Sequence, residues 1–202
     1  MKKKGLLFII SGPAGSGKGT IVKRVRELAE FDFSVSATTR SPRPGELEGV
    51  HYFFVGKQEF EEKIAAGEML EYAEYVGNYY GTPKKPVEKA LSAGKNMILD
   101  IDVQGALQVK EKLPEAIMVF VLPPDFATLM RRIRGRGTES PEIIDKRMQK
   151  ARVELECFDQ YDYIVTNRDN DVESAAQDVL AILKAETLKT FRNRDIKEHF
   201  FS

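Results

Sequence analysis

Gly5-Leu6-Leu7-Phe8-Ile9-Ile10-Ser11-Gly12-Pro13-Ala14-Gly15-Ser16-Gly17-Lys18-Gly19-Thr20 is the stretch on which the fold turns. Gly5 to Ser11 is a continuous apolar run that breaks into glycines, and it reads as a strand buried on both faces that runs into a loop. Ile21, Val22, Val25, Leu28 and Ala29 then recur at helical spacing, with Lys23, Arg24, Arg26 and Glu27 on the other face. Strand, glycine loop and helix in this order open a βαβ unit. Within the loop, Gly12-x-x-x-x-Gly17-Lys18 is a phosphate-binding pattern: glycines let successive N–H groups point inward, the helix N-terminus adds positive potential, and Lys18 reaches outer phosphates. A mere strand-to-helix turn would not need three glycines and a lysine in this order. The residue after the lysine, normally a Ser/Thr hydroxyl for Mg²⁺, is Gly19, with Thr20 one step later. Either the metal is held through water and other acidic groups, or Thr20 serves the phosphates from its own position.

Outward from the loop, Ser34 to Pro86 is rich in Gly, Pro and Tyr and reads as an inserted subdomain, with strand-like pieces around His51 to Val55 and a helix-like piece around Phe60 to Ala66. Asn96 to Ile101 and Ala116 to Leu122 are further buried strands. Two charged helical stretches follow, Phe126 to Arg134 and Pro141 to Phe158, joined by Gly135-Arg136-Gly137, a flexible joint that suggests a moving part. Tyr163 to Thr166 is a last strand, and Val172, Ala176, Val179 and Leu183 mark an amphipathic helix that covers the sheet. The expected class is α/β, a P-loop NTPase-type parallel sheet flanked by helices, with two insertions.

The chain has 202 residues, enough for one domain with a substantial core, and balances 31 Lys+Arg against 31 Asp+Glu. Zero net charge argues against a nucleic-acid backbone as the main partner. With 42% hydrophobic residues the chain is not disordered. One cysteine, Cys157, and two histidines, His51 and His199, give neither an internal disulfide nor a zinc ligand set, and Cys157 reads as a buried spectator thiol. The apolar run after Lys2 to Lys4 is too short for a signal core or a membrane span, so a cytoplasmic protein without a membrane partner is expected. No Ser/His/Asp or Cys/His arrangement is present.

A second constellation runs from Thr38 to Val55, Thr-Thr-Arg-Ser-Pro-Arg-Pro-Gly-Glu-Leu-Glu-Gly-Val-His-Tyr-Phe-Phe-Val. Arg40 and Arg43, on a chain stiffened by prolines, offer planar forks to a second anion, and Tyr52 adds a neutral donor. By itself such a stretch is most often a solvated loop. In full it resembles the guanylate kinase signature, through Thr38, Thr39, Arg40, Arg43, Glu46, Gly49, Tyr52, Phe54 and Val55. The similarity continues through Glu71, Gly77 to Thr82, Leu99 to Gly105, Gly135 to Glu139 and Asn167, nearly the whole chain.

The resemblance implies Mg-dependent transfer of the terminal phosphate of ATP to GMP. It implies a core of residues 1–35, 87–124 and 159–202, a GMP-binding subdomain of 36–86 and a lid of 125–158. ATP would sit on Gly12, Pro13, Ala14, Gly15, Ser16, Gly17, Lys18, Gly19 and Thr20, with Asn167 near the adenine. Arg40, Arg43, Tyr52 and Tyr80 would hold the GMP phosphate, and Glu71, Thr82 and Ser36 would face guanine. Arg132, Arg136 and Arg147 would close on the ATP phosphates, joining Lys18 and Arg40 as catalytic groups. Asp100 and Asp102 stand two apart near a strand end and serve the acceptor or hydrated Mg²⁺. A phosphate acceptor is already an anion, so the catalytic task is offsetting charge, for which cations cluster at three separated places. Two rivals remain: a non-catalytic guanylate-kinase-like binding module, which typically loses phosphate-loop residues, and a kinase for another nucleoside monophosphate, against which the Thr38 to Val55 signature speaks.

Overall fold

Every residue of Leu7–Ser11 is buried, as a strand covered on both faces requires. The structure, a computed structural model, describes residues 4–75, 77–135 and 141–196. Its strands in chain order are β1 (Leu7–Ser11), β2 (Asp32–Phe33), β3 (Ala37–Thr38), β4 (Phe53–Phe54), β5 (Met69–Tyr75), β6 (Asn78–Pro83), β7 (Met97–Asp100), β8 (Ile117–Leu122) and β9 (Tyr163–Thr166). The α-helices are α1 (Lys18–Leu28), α2 (Lys57–Ala65), α3 (Lys84–Ser92), α4 (Val103–Lys112), α5 (Phe126–Arg134), α6 (Pro141–Leu155) and α7 (Val172–Leu188).

The main sheet is parallel, in order β2-β7-β1-β8-β9. Period-two alternation splits its apolar side chains between two layers. Phe8 and Ile10 pack with Ile21, Val22 and Val25 of α1 and Ala175, Ala176 and Val179 of α7. Leu7 and Ile9 face Val87 and Leu91 of α3 and Ala106 and Val109 of α4 on the other side. Each of these side chains larger than alanine contributes about 1.5–3 kcal/mol by leaving water. The chain leaves β1, β7, β8 and β9 at the same edge, and in an open parallel sheet ligands bind outside these carboxyl ends.

Between β2 and α3 a second sheet forms in order β4-β3-β6-β5. β5 and β6 pair antiparallel across Gly77, whose φ of 73° suits glycine at a tight turn. A register shift between Met69 and Glu71 bends β5. Leu70 enters the core of the main sheet while Met69, pointing to the opposite face, stays with Phe60 under the second. Asp102, Asp125 and Asp171 cap α4, α5 and α7 by accepting from the N–H groups of Gly105, Thr128 and Ser174.

Near the end of α7, Glu186 is only 1% exposed. It accepts from the Tyr163 hydroxyl at 2.7 Å and pairs with Lys189 and with Arg192 at 3.3 Å. Burial alone would raise its carboxyl, but these bonds hold it below the usual range. Cys157 departs from the expected buried thiol. It lies half-exposed just past α6, because the turn that follows faces solvent.

Candidate active site

The loop after β1 takes its shape from three glycines in left-handed or related conformations: Gly12, Gly15 and Gly17, with φ of 137°, 90° and 87°. Two also make close approaches. A Cβ at Gly12 would stand 2.3 Å from the Val121 carbonyl oxygen, and one at Gly17 would stand 2.1 Å from Asn167 Nδ2. Asn167 Nδ2 donates to the Ser16 carbonyl at 2.8 Å and Arg132 to the same oxygen at 3.3 Å, so β9 and α5 brace the loop from one side. Lys18 Nζ donates to the carbonyls of Gly12 at 2.6 Å and Pro13 at 3.3 Å, folded back on its own loop. Burial lowers the Lys18 pKa, against the opposing pull of Asp100, Glu154 and Asp102.

Thr20 opens into a cleft of about 470 Å³ lined also by Gly15, Gly17, Arg132, Asn167, Arg168, Asp169 and Asn170. Gly19 looks the other way. Its φ is not left-handed, and a Cβ there would meet only Asp100 Oδ2, at 3.7 Å. The two sides of the helix start are thus divided between the cleft and the Asp100 carboxylate.

On that second side lies a cavity of about 230 Å³ lined by Ser36, Tyr52, Glu71, Ala73, Tyr80, Gly81, Asp100, Ile101 and Asp102. Thr82 stands behind it and donates its hydroxyl to Glu71 Oε1 at 2.6 Å. Glu71 is 5% exposed, and burial pushes its carboxyl up to about 7, the Thr82 bond opposing and Asp102 adding to the rise. Burial also raises Asp100, with the Lys18 charge opposing. Asp100 ends β7 and Asp102 caps α4, so their common direction comes from the strand-to-helix turn rather than from strand alternation. Arg40 lies 5.6 Å from the centroid of the Tyr52 ring, and its Nη2 alone donates to both Glu46 oxygens, at 2.8 and 3.0 Å. Glu46 also accepts from the Arg43 N–H at 2.7 Å, while the Arg43 side chain is exposed.

Arg132 is drawn to Asp169, at 2.8 Å, and to the Asn167 carbonyl at 2.9 Å. Arg147 is half-buried on α6, Gly135 ends α5 in helical conformation, and Arg136 and Gly137 lie outside the described residues. Two residues that sequence reasoning missed sit on α6. Lys150 Nζ lies 3.3 Å from Asp102 and 3.5 Å from Glu154, which is itself 7% exposed and close enough to Lys18 to act on its charge. Their four-residue spacing suggests a helical ion pair. Nothing in it indicates that the pair faces the phosphate loop.

A divalent cation fits this donor set. Among the described residues no cluster of three metal-binding side chains occurs, and Asp100 is the oxygen donor facing position 19. Mg²⁺ keeps several waters and needs only one or two carboxylates besides phosphate oxygens.

A glycine loop at the carboxyl edge of a parallel sheet, with Asp100 shared between its helix and a second cavity lined by carboxylates and tyrosines, is the arrangement of a P-loop phosphotransferase. The guanylate kinase family profile matches residues 4–186. Guanylate kinase from Halalkalibacterium halodurans is 50% identical over 192 residues, 95% of this chain and 93% of that protein. The Bacillus subtilis guanylate kinase is 50% identical over 194 residues, 95% and 94%. The crystal structure of guanylate kinase from Anaplasma phagocytophilum superposes with a TM-score of 0.77 at 32% identity, covering 99% of this chain and 97% of that one. The chain belongs to the guanylate kinase family, the nucleoside monophosphate kinases that move the terminal phosphate of ATP to GMP.

Proposed function

We propose that the chain carries out this transfer with ATP on residues 12–20 and in the cleft beside Asn167, and GMP in the 230 Å³ cavity. Residues 36–86 act as the acceptor subdomain and 125–158 as the lid. The observation that carries the reading is Asp100: it lines the acceptor cavity while its Oδ2 lies against the first turn of the phosphate-loop helix, so both sites open on one point.

From there the roles follow from chemistry. Loop N–H groups hold the donor phosphates, and Lys18 leaves its carbonyl partners for them as negative charge arrives. Tyr52, Tyr80 and Arg40 receive the acceptor phosphate, with Glu46 holding the Arg40 guanidinium through Nη2 and Arg43 joining from the same loop. Glu71, steadied by Thr82 and next to Ser36, reads the guanine edge. Arg132, Arg136 and Arg147 balance the phosphate charge as the lid closes and excludes water. Mg²⁺, when bound, neutralises phosphate charge and orients the terminal group; Asp100, with Asp102 beside it, would hold its water shell. No helix among the described residues is long and apolar enough to cross a membrane, and a cytoplasmic site of action suits these nucleotides.

A coupled assay with Mg-ATP and each of GMP, AMP, CMP and UMP tests the reading. GDP should form fastest by a wide margin. Equal rates with another monophosphate would overturn the acceptor assignment.

A further inference from the structure

The Glu71 carboxylate rests against a helix as well as on its own strand. Gly105, in the first turn of α4, lies directly beneath it: a Cβ there would stand 2.7 Å from Glu71 Oε2, 3.1 Å from Cδ and 3.3 Å from Cγ. The glycine is not needed for backbone freedom, since its φ is not left-handed. Helix propensity favours alanine at such a position. Space for the carboxylate is the remaining reason.

Glu71 has little room to yield. Oε1 is tied to the Thr82 hydroxyl at 2.6 Å, and β5 is fastened to α4 by Lys112 Nζ, which donates to the carbonyls of Met69 at 3.2 Å and Leu70 at 2.7 Å. The Gly105 N–H meanwhile donates to Asp102 Oδ1 at 2.9 Å, fixing a second acid of the same cavity.

We propose that Gly105 is a positioning residue for acceptor selectivity, whose missing side chain forms the seat that aims the Glu71 carboxylate into the cavity. The inference rests on the reading of Glu71 as the group that recognises guanine. It assigns the helix, and not only the strand, a part in choosing the base.

The test is a double-mutant cycle of Gly105→Ala and Glu71→Ala, read as KM and kcat for GMP, AMP and ATP together with thermal unfolding. Gly105→Ala should raise the KM for GMP about tenfold and leave that for ATP within about twofold, because the displaced carboxylate loses one of its paired contacts. With Glu71→Ala present, the same alanine should cost less than about twofold, since nothing remains for it to strike. Additive losses would overturn the proposal, as would an unchanged KM for GMP. If Gly105→Ala alone fails to fold, a folded double variant identifies Glu71 as the obstacle and supports the seat, whereas an unfolded double variant sinks it. The underlying reading fails separately. Should Glu71→Ala keep its preference for GMP over AMP, base recognition lies elsewhere and the inference falls with it; if that preference is lost but Gly105→Ala behaves as wild type, only the seat is wrong.

Discussion

As the proposed reader of guanine, Glu71 would work by matching donors to acceptors. Guanine presents N1–H and an exocyclic amine side by side, while adenine offers a lone pair at N1, so an ionised carboxylate attracts the first and repels the second. Glu71→Gln turns one acceptor into a donor inside a buried contact, a mismatch of about 1–3 kcal/mol. Steady-state kinetics should show kcat/KM for GMP falling about 5- to 150-fold, apparent ATP affinity holding, and AMP changing less or oppositely. The same carboxyl gives a pH signature. Its folded-state pKa of about 7 lies above the ordinary carboxyl value, so its contribution to folding is full below that ordinary value and is lost as pH rises through 7. Recognition through the carboxylate needs its ionised form, so GMP affinity should weaken about fourfold as pH falls from about 8 to about 6.5. The GMP phosphate titrates near about pH 6, so calorimetry between about pH 6.5 and 8 isolates the protein's part, and Glu71→Gln should flatten it. Lys18→Met belongs to this scale too. Its circular dichroism should match wild type while turnover drops by about a hundredfold or more, because the ammonium stabilises charge in the transition state. Near-normal turnover would favour a binding module over an enzyme.

At the level of elements, the loop-to-helix junction makes Gly19→Ser informative. With φ outside the left-handed region and open space toward Asp100, serine should be accepted without strain. Activity should persist, and titration of rate against Mg²⁺ should saturate at lower metal, since the new hydroxyl faces the Asp100 carboxylate; loss of activity at all Mg²⁺ levels would show that the position needs glycine for another reason. This junction was legible in sequence because a continuous apolar strand, spaced glycines and an amphipathic helix each leave a local pattern. The strands Asp32–Phe33 and Ala37–Thr38 were not, because two residues are too few for any period to show. Helices α3 and α4 were implied only by strand alternation. The acceptor cavity draws Ser36, Tyr52, Glu71, Tyr80 and Asp100 from well-separated segments, and only a family resemblance, not spacing, joined them beforehand. The register shift in β5 between Met69 and Glu71, and the Lys150 contact to Asp102, depend on tertiary packing and left no local trace.

At the scale of the whole molecule, α6 is a helix that bridges parts. Helix α6 packs on α5 through Ile144, Met148 and Ala151 and reaches Asp102 through Lys150, so movement of the proposed lid would be felt at both proposed nucleotide sites. Arg147→Ala, on that helix, should lower kcat about a hundredfold while equilibrium GMP binding, followed by calorimetry, stays near wild type. Equal losses in both would move Arg147 into the acceptor site. At the opposite end, the buried Glu186 carries a consequence for how the protein is made. Chains emerge from the ribosome N-terminus first, so this carboxylate appears before Lys189 and Arg192, and the last layer of the fold becomes electrically complete only when those few residues follow. The family match stops at residue 186. Trimming the gene at that boundary would remove both cations together with the turn that covers Glu186, and would set a new terminal carboxylate beside it, so two ion pairs would vanish in a cut that looks harmless on paper.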